Sequence, residues 1–157
     1  VNMKKEARGA GYSTKPGTAS EIDSRAAGVC FCEGRPLVDV LRSITLGGPE
    51  WTSRYVTLCF SGPANGWVLL YPFQGSEAPY FDFMYGTNEA PQQVLAAFFE
   101  KYPQCSVIDW SSGRLACLEA PGVDVESLAN IIQEVASMVW GERSQFVDAW
   151  YEELHKA

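Results

Sequence analysis

The chain predicts an α+β fold: a single domain in which an antiparallel sheet of about five strands carries its helices on one face. Three observations lead there. Apolar residues recur at helical spacing in several separated stretches, alternating runs bounded by turn-forming clusters mark hairpins between them, and no repeat or second core divides the chain. With 157 residues, 46% hydrophobic and 13% aromatic, the chain is large enough to build one core without disulfide staples.

The first element runs from Pro36 to Leu46, where Leu37, Val38, Leu41, Ile44 and Thr45 fall at helical spacing and Gly47-Gly48-Pro49 supplies the stop. Arg54 to Phe60 alternates, Gly62 to Gly66 is dense in turn formers, and Trp67 to Phe73 resumes an apolar run, which predicts a hairpin. Tyr80 to Tyr85 alternates again around Asp82 and adds a third strand. A helix is expected from about Glu89 to Lys101, with Asn88 as N-cap, Pro91 in its first turn and Pro103 beyond its end. Cys105 to Trp110 and Arg114 to Glu119 flank Ser111-Ser112-Gly113 as a second hairpin. Asp124 caps the clearest amphipathic helix, in which Val125, Leu128, Ile131, Ile132, Val135, Met138 and Val139 form one face. Gly141 interrupts it. A last helix is expected from about Ser144, carrying Phe146, Val147, Trp150, Tyr151 and Leu154.

Charge separates an N-terminal arm, residues 1–28, from a domain spanning 29–157. The arm carries Lys4, Lys5, Arg8, Lys15 and Arg25 against Glu6, Glu21 and Asp23, a surplus of two positive charges. Because the whole chain has a net charge of −7, the remainder holds −9. With four glycines, Pro16 and few large apolar groups, the arm alone cannot offset its ordering entropy and is expected to be flexible. An acidic body without a basic stripe repels phosphate backbones, so nucleic acid is not an expected partner. No apolar run approaches the ~18 residues needed to span a bilayer, and no signal-peptide pattern opens the chain as given.

Cys30, Cys32, Cys59, Cys105 and Cys117 make an odd set, which fits a reducing, cytoplasmic setting better than a secreted disulfide framework. The Cys30-Phe31-Cys32 spacing is too tight for a zinc knuckle, and the sole histidine, His155, is near the C-terminus. Neither a metal nor a cofactor is expected. Gly9-Ala10-Gly11 lacks the strand and third glycine of a dinucleotide fingerprint, and the nucleophile-elbow, phosphate-loop and calcium-loop patterns are missing. Asp82, Asp109 and Glu119 lie on or beside predicted strands as candidate carboxylates for a small enzyme, although edge-strand charges explain them as well. The expectation is a non-catalytic chain.

Aromatic density is the feature that rises above this background: Trp67, Tyr71, Phe73, Tyr80, Phe81, Phe83 and Tyr85 fall within two predicted strands. On alternating strands about half would point away from a one-sided core, leaving an aromatic surface of the kind that meets other proteins. Trp67, Tyr71, Phe81, Phe83 and Tyr85 are therefore the candidate partner-binding residues. Helices on both faces, or the arm lying across the sheet, would account for the same residues without a partner.

The order helix, three strands, helix, two strands, helix over residues 36–157 resembles type III secretion chaperones and related chaperone-like domains. The likeness is closest from Gly113-Arg114-Leu115-Ala116-Cys117-Leu118 through Pro121-Gly122 into Leu128 to Met138. The resemblance implies a protein without catalytic residues, a homodimer, and an extended client segment held in apolar grooves. The arm and the helix expected after Gly141 depart from that pattern, so client-binding positions do not carry over. The function expected is thus a chaperone or adaptor holding an extended protein segment; the alternative is an accessory structural subunit of a larger assembly.

Overall fold

The structure, a computed structural model, describes residues 29–47, 54–71 and 78–153. In chain order the elements are β1 (Val29–Pro36), α1 (Leu37–Leu46), β2 (Arg54–Phe60), β3 (Trp67–Leu70) and β4 (Tyr80–Met84). There follow α2 (Pro91–Val94), α3 (Ala96–Lys101), β5 (Ser106–Ser111), β6 (Leu115–Glu119), α4 (Val125–Trp140) and β7 (Phe146–Glu153). All strands join one antiparallel sheet in the order β1-β7-β2-β3-β4-β6-β5. The predicted α+β single-domain architecture is present. The predicted arm, His155 and Leu154 lie outside the described residues.

The sheet has seven strands rather than about five, because two strands at the ends of the domain were not legible as strands. Residues 146–153 form β7 where a last helix was expected. β7 sits between β1 and β2, so it is an interior strand with apolar groups on both faces. Val147 and Ala149 point to one side and Phe146 and Trp150 to the other, which erased the alternation and left spacings compatible with a helical turn. β1 is the antiparallel edge partner of β7, and its pairing shifts register between Cys32 and Arg35, where Gly34 adopts a left-handed φ of 61°. That bulge hides its period of two.

Helix α1 starts directly after Pro36 and buries Leu37, Val40, Leu41 and Ile44. It stops at Gly47, whose N–H donates to the Ser43 carbonyl at 2.8 Å. In α4 the Asp124 carboxylate accepts from the Ser127 N–H at 2.8 Å, as a capping aspartate should, and Leu128, Ile131, Ile132, Val135 and Ala136 are buried. Gly141 ends the helix in the left-handed region, φ 71°, which costs a glycine little. The helix expected over 89–101 is two short pieces that meet at Leu95, whose φ of −103° and ψ of 24° leave the helical range although its N–H still donates to the Pro91 carbonyl at 2.9 Å. Asn88 is not its cap: Ala90 occupies that position, and the Asn88 side-chain oxygen instead accepts from the Ser112 hydroxyl at 2.6 Å.

The helices share one face of the sheet. Buried positions of α1, α3 and α4 merge with Val56, Leu58 and Phe60 of β2, Val68 and Leu70 of β3, Phe81 and Phe83 of β4, and Ala116 and Leu118 of β6. At one end of this layer the Trp140 indole N–H donates to the Met84 carbonyl at 2.9 Å, and its ring lies against Gly66 and Phe60. The buried Glu142 carboxylate accepts from the Gly62 N–H at 3.1 Å and the Ser144 N–H at 3.2 Å. It thereby fastens the β2–β3 turn to the chain entering β7.

Candidate functional site

Register assigns strand residues to faces, and most of the described residues turned away from the helices fall into three transverse rows. One row crosses the sheet through Trp150, Thr57, Leu69, Asp82, Cys117 and Asp109. A second is formed by Tyr55, Tyr71, Tyr80, Glu119 and Ser106. The third contains Asp148, Cys59, Trp67, Met84 and Leu115. Among the described residues no helix contributes a buried side chain to this second face. Its ionisable groups are acidic: the described strand residues on it include Asp82, Asp109, Glu119 and Asp148 and no Lys or Arg.

At the centre is a linked set of phenols around a buried carboxylate. The Tyr71 hydroxyl donates to Asp82 Oδ2 at 2.8 Å, and Asp82 is 0% exposed. Tyr71 stacks on Tyr80 with ring centroids 4.8 Å apart and meets the Tyr55 ring edge-on at 5.4 Å. Burial pushes the Tyr71 hydroxyl well above the ordinary phenol range, and the neighbouring Asp82 charge pushes it further. Tyr80 is also raised, first by burial and then by Cys117. A phenol held in its protonated form and committed as donor to a carboxylate orders the surface. It is not poised to act as a nucleophile at neutral pH.

The structure divides the sequence-predicted aromatic residues between the two faces. Trp67, half-buried, and Tyr71 are on the second face. Phe81, Phe83 and Tyr85 are buried against the helices, with the Tyr85 hydroxyl donating to the Glu89 carbonyl at 2.6 Å. These three are core residues and offer no surface, because odd-numbered positions of β4 face inward. Sequence reasoning missed Tyr55 and left Tyr80 out of the site, although Tyr80 is the described β4 side chain with the most exposure on that face, at 37%. The parity of β4 was the signal: the alternation that buries Phe81 and Phe83 turns Tyr80 and Asp82 the other way.

Of the three candidate carboxylates, Asp82 and Asp109 share a row but do not converge, and Glu119 is in the row of Tyr80. Asp82 and Asp109 both pair with Cys117 from opposite sides, which sets their backbones two strand spacings, about 10 Å, apart. Asp109 is exposed and accepts from the Trp110 N–H at 2.9 Å. Among the described residues no group of three or more His, Cys, Asp or Glu side chains is arranged to hold a metal ion, and no helix is long and apolar enough to cross a membrane. Described thiols include Cys59, Cys105 and Cys117, all buried; burial pushes the Cys105 thiol up to about 11. On the helix side a groove of about 300 Å³ opens between α1 and α4. Arg42 crosses it, bonding Glu126 at 2.6 Å and Asp39 at 3.0 Å, so its charge is already matched. No protein-family model, no curated protein and no solved structure matches this chain.

Proposed function

We propose that this chain is a non-catalytic protein-binding domain of chaperone or adaptor type, which holds an extended partner segment against the second face of its sheet. One observation carries the reading. The described helices all pack on the first face, while the second carries Tyr55, Tyr71, Tyr80, Trp67 and Trp150 together with acidic, small polar, thiol and aliphatic side chains. Aromatic side chains bring large contact areas at low entropic cost, and the carboxylates supply direction and charge selection for a basic segment. The Tyr71–Asp82 bond supports a structural use of the buried carboxylate. The order from α1 to α4 is the one that carries the resemblance to type III secretion chaperones, to which β1 and β7 add two strands.

Calorimetric titration of the full chain with extended peptides of about fifteen residues, matched in length and aromatic content but opposite in charge, tests this reading. Saturable binding of the basic peptide, weakened by added salt and by Asp109→Asn with Glu119→Gln, is the expected result. Hydrogen exchange should then slow in β2, β3 and β4. If neither peptide binds, or if protection falls on α1 and α4 instead, the second face is not a binding surface.

A further inference from the structure

We propose that the groove between α1 and α4 is a binding site for a lysine side chain presented by an extended polypeptide. The groove has a volume of about 300 Å³, at the small end of the range for ligand sites. It is on the helix side of the sheet and does not depend on the use of the second face. Its α4 wall is Glu126, Ala129, Asn130 and Gln133, one stripe at helical spacing that covers about 10 Å of the helix. Leu37, Val38 and Arg42 of α1 face that stripe.

The two ends of the groove differ in chemistry. At one end Arg42 Nη2 donates to Glu126 Oε2 at 2.6 Å and Arg42 Nη1 to Asp39 Oδ1 at 3.0 Å. One guanidinium meets two carboxylates there, which leaves a surplus of one negative charge. Among the described residues Glu126 Oε1 and Asp39 Oδ2 accept no hydrogen bond. The side chains are 47% exposed at Arg42, 60% at Glu126 and 44% at Asp39, and bridges standing in water in this way contribute little and open readily. At the other end the Gln133 amide donates to the Ser144 carbonyl at 2.8 Å, which fixes that amide and keeps its oxygen as an acceptor. Beside it the Asn130 and Gln145 side-chain amides have no partner among the described residues. Between the ends are Val38 and Ala129, and the single methyl group of Ala129 leaves the passage unfilled.

Amides at one end, an apolar passage and excess carboxylate at the other match a lysine within a peptide. Its main chain offers an N–H and a C=O to side-chain amides that both donate and accept. Its alkyl stem runs along apolar surface, as lysine stems do, while the charged head stays in water. Its ammonium is a compact charge with three donors and can bridge oxygens of two different carboxylates. Arginine fits less well, because its planar fork is shaped for the two oxygens of one carboxylate. A free diamine leaves the amide end unused, and an acidic side chain meets the surplus negative charge.

The test follows the amide NMR spectrum of the full ¹⁵N-labelled chain as N-acetyl-lysine N-methylamide is added. The norleucine analogue, which lacks the ammonium, and cadaverine, which lacks the amides, serve as comparisons. Saturable shifts confined to α1, α4 and Gln145 are expected, with a Kd on the order of 1 mM for a probe of this size. Both comparisons should bind about fivefold more weakly, and added salt should weaken the lysine probe. Arg42→Gln, which releases both carboxylates, should tighten binding about threefold, and Glu126→Gln should weaken it about threefold. Loss of the α1–α4 bridge alone would not give these opposite signs. Ala129→Leu fills the passage while keeping every charge, and should abolish the shifts in a chain with an unchanged circular dichroism spectrum. Equal binding of the norleucine analogue, equal binding of cadaverine, shifts on the sheet, or the same sign for both charge variants would overturn the inference. In the peptide titration described above, protection of α1 and α4 alone would sink the second-face reading and leave this one standing.

Discussion

Replacing Tyr71 with phenylalanine removes one hydroxyl from the second face and nothing else, so its effect isolates the bond to Asp82. The phenyl ring keeps its contacts to Tyr80 and Tyr55, and no large cavity opens. What is lost is a 2.8 Å donor to a carboxylate with no solvent exposure to replace it. Hydrogen bonds to charged groups contribute about 1.5–3 kcal/mol. A loss of about 2 kcal/mol is therefore expected for Tyr71→Phe. For a domain of this size the urea slope is about 2 kcal/mol per molar, so the midpoint should fall by about 1 M at an unchanged slope. A double-mutant cycle with Asp82→Asn should return a coupling of about 1.5 kcal/mol. An alkaline series adds an independent sign. The unfolded tyrosine titrates near 10.0, whereas the folded hydroxyl is held higher by burial and by Asp82. The unfolded state thus loses its proton first, and the stabilisation from Tyr71 is complete below pH 10 and lost as pH rises above it. The Phe variant should lose stability less steeply there. A midpoint shift under about 0.2 M at neutral pH, with no coupling to Asp82, would refute the reasoning.

Two further changes probe the frame that holds the face in place. Asp124→Ala removes the α4 cap; because the Ser127 N–H holds the Asp124 carboxyl below its ordinary value, the stabilisation is present at neutral pH and lost as pH falls through that lowered value. Thermal melts should therefore show the variant below the wild type at pH 7, the two converging as the pH is lowered through the Asp124 titration. Gly66→Ala places a methyl group into the Trp140 ring, which is anchored through its N–H to Met84, and overpacking of this kind costs about 1–3 kcal/mol, measurable by urea unfolding.

Hydrophobic periodicity and turn chemistry by themselves determined most of the domain between Leu37 and Trp140. The α1 stripe, the β2–β3 and β5–β6 hairpins and the Asp124-capped α4 are local patterns, and local patterns survive in a single sequence. Aromatic density pointed to a stretch of chain from which Trp67, Tyr71 and Tyr80 are turned to the second face. Only the tertiary structure decided which aromatics were core. Phe81, Phe83 and Tyr85 differ from Tyr80 in parity, and parity acquires meaning only once it is known which side the helices cover. The same holds for β7. It carries apolar groups on both sides, Val147 and Ala149 on the helix side and Phe146 and Trp150 on the other, because it lies between β1 and β2 inside the sheet. A strand in that position carries no period of two to read, and spacings such as Phe146 to Trp150 match a helix equally well. Its pairing with β1 and β2 joins residues far apart in the chain, a contact that no local window contains. The row bringing Thr57, Asp82, Cys117 and Asp109 into line arises in the same way, from the register of five strands, and so the candidate site is a property of the sheet and not of any one segment.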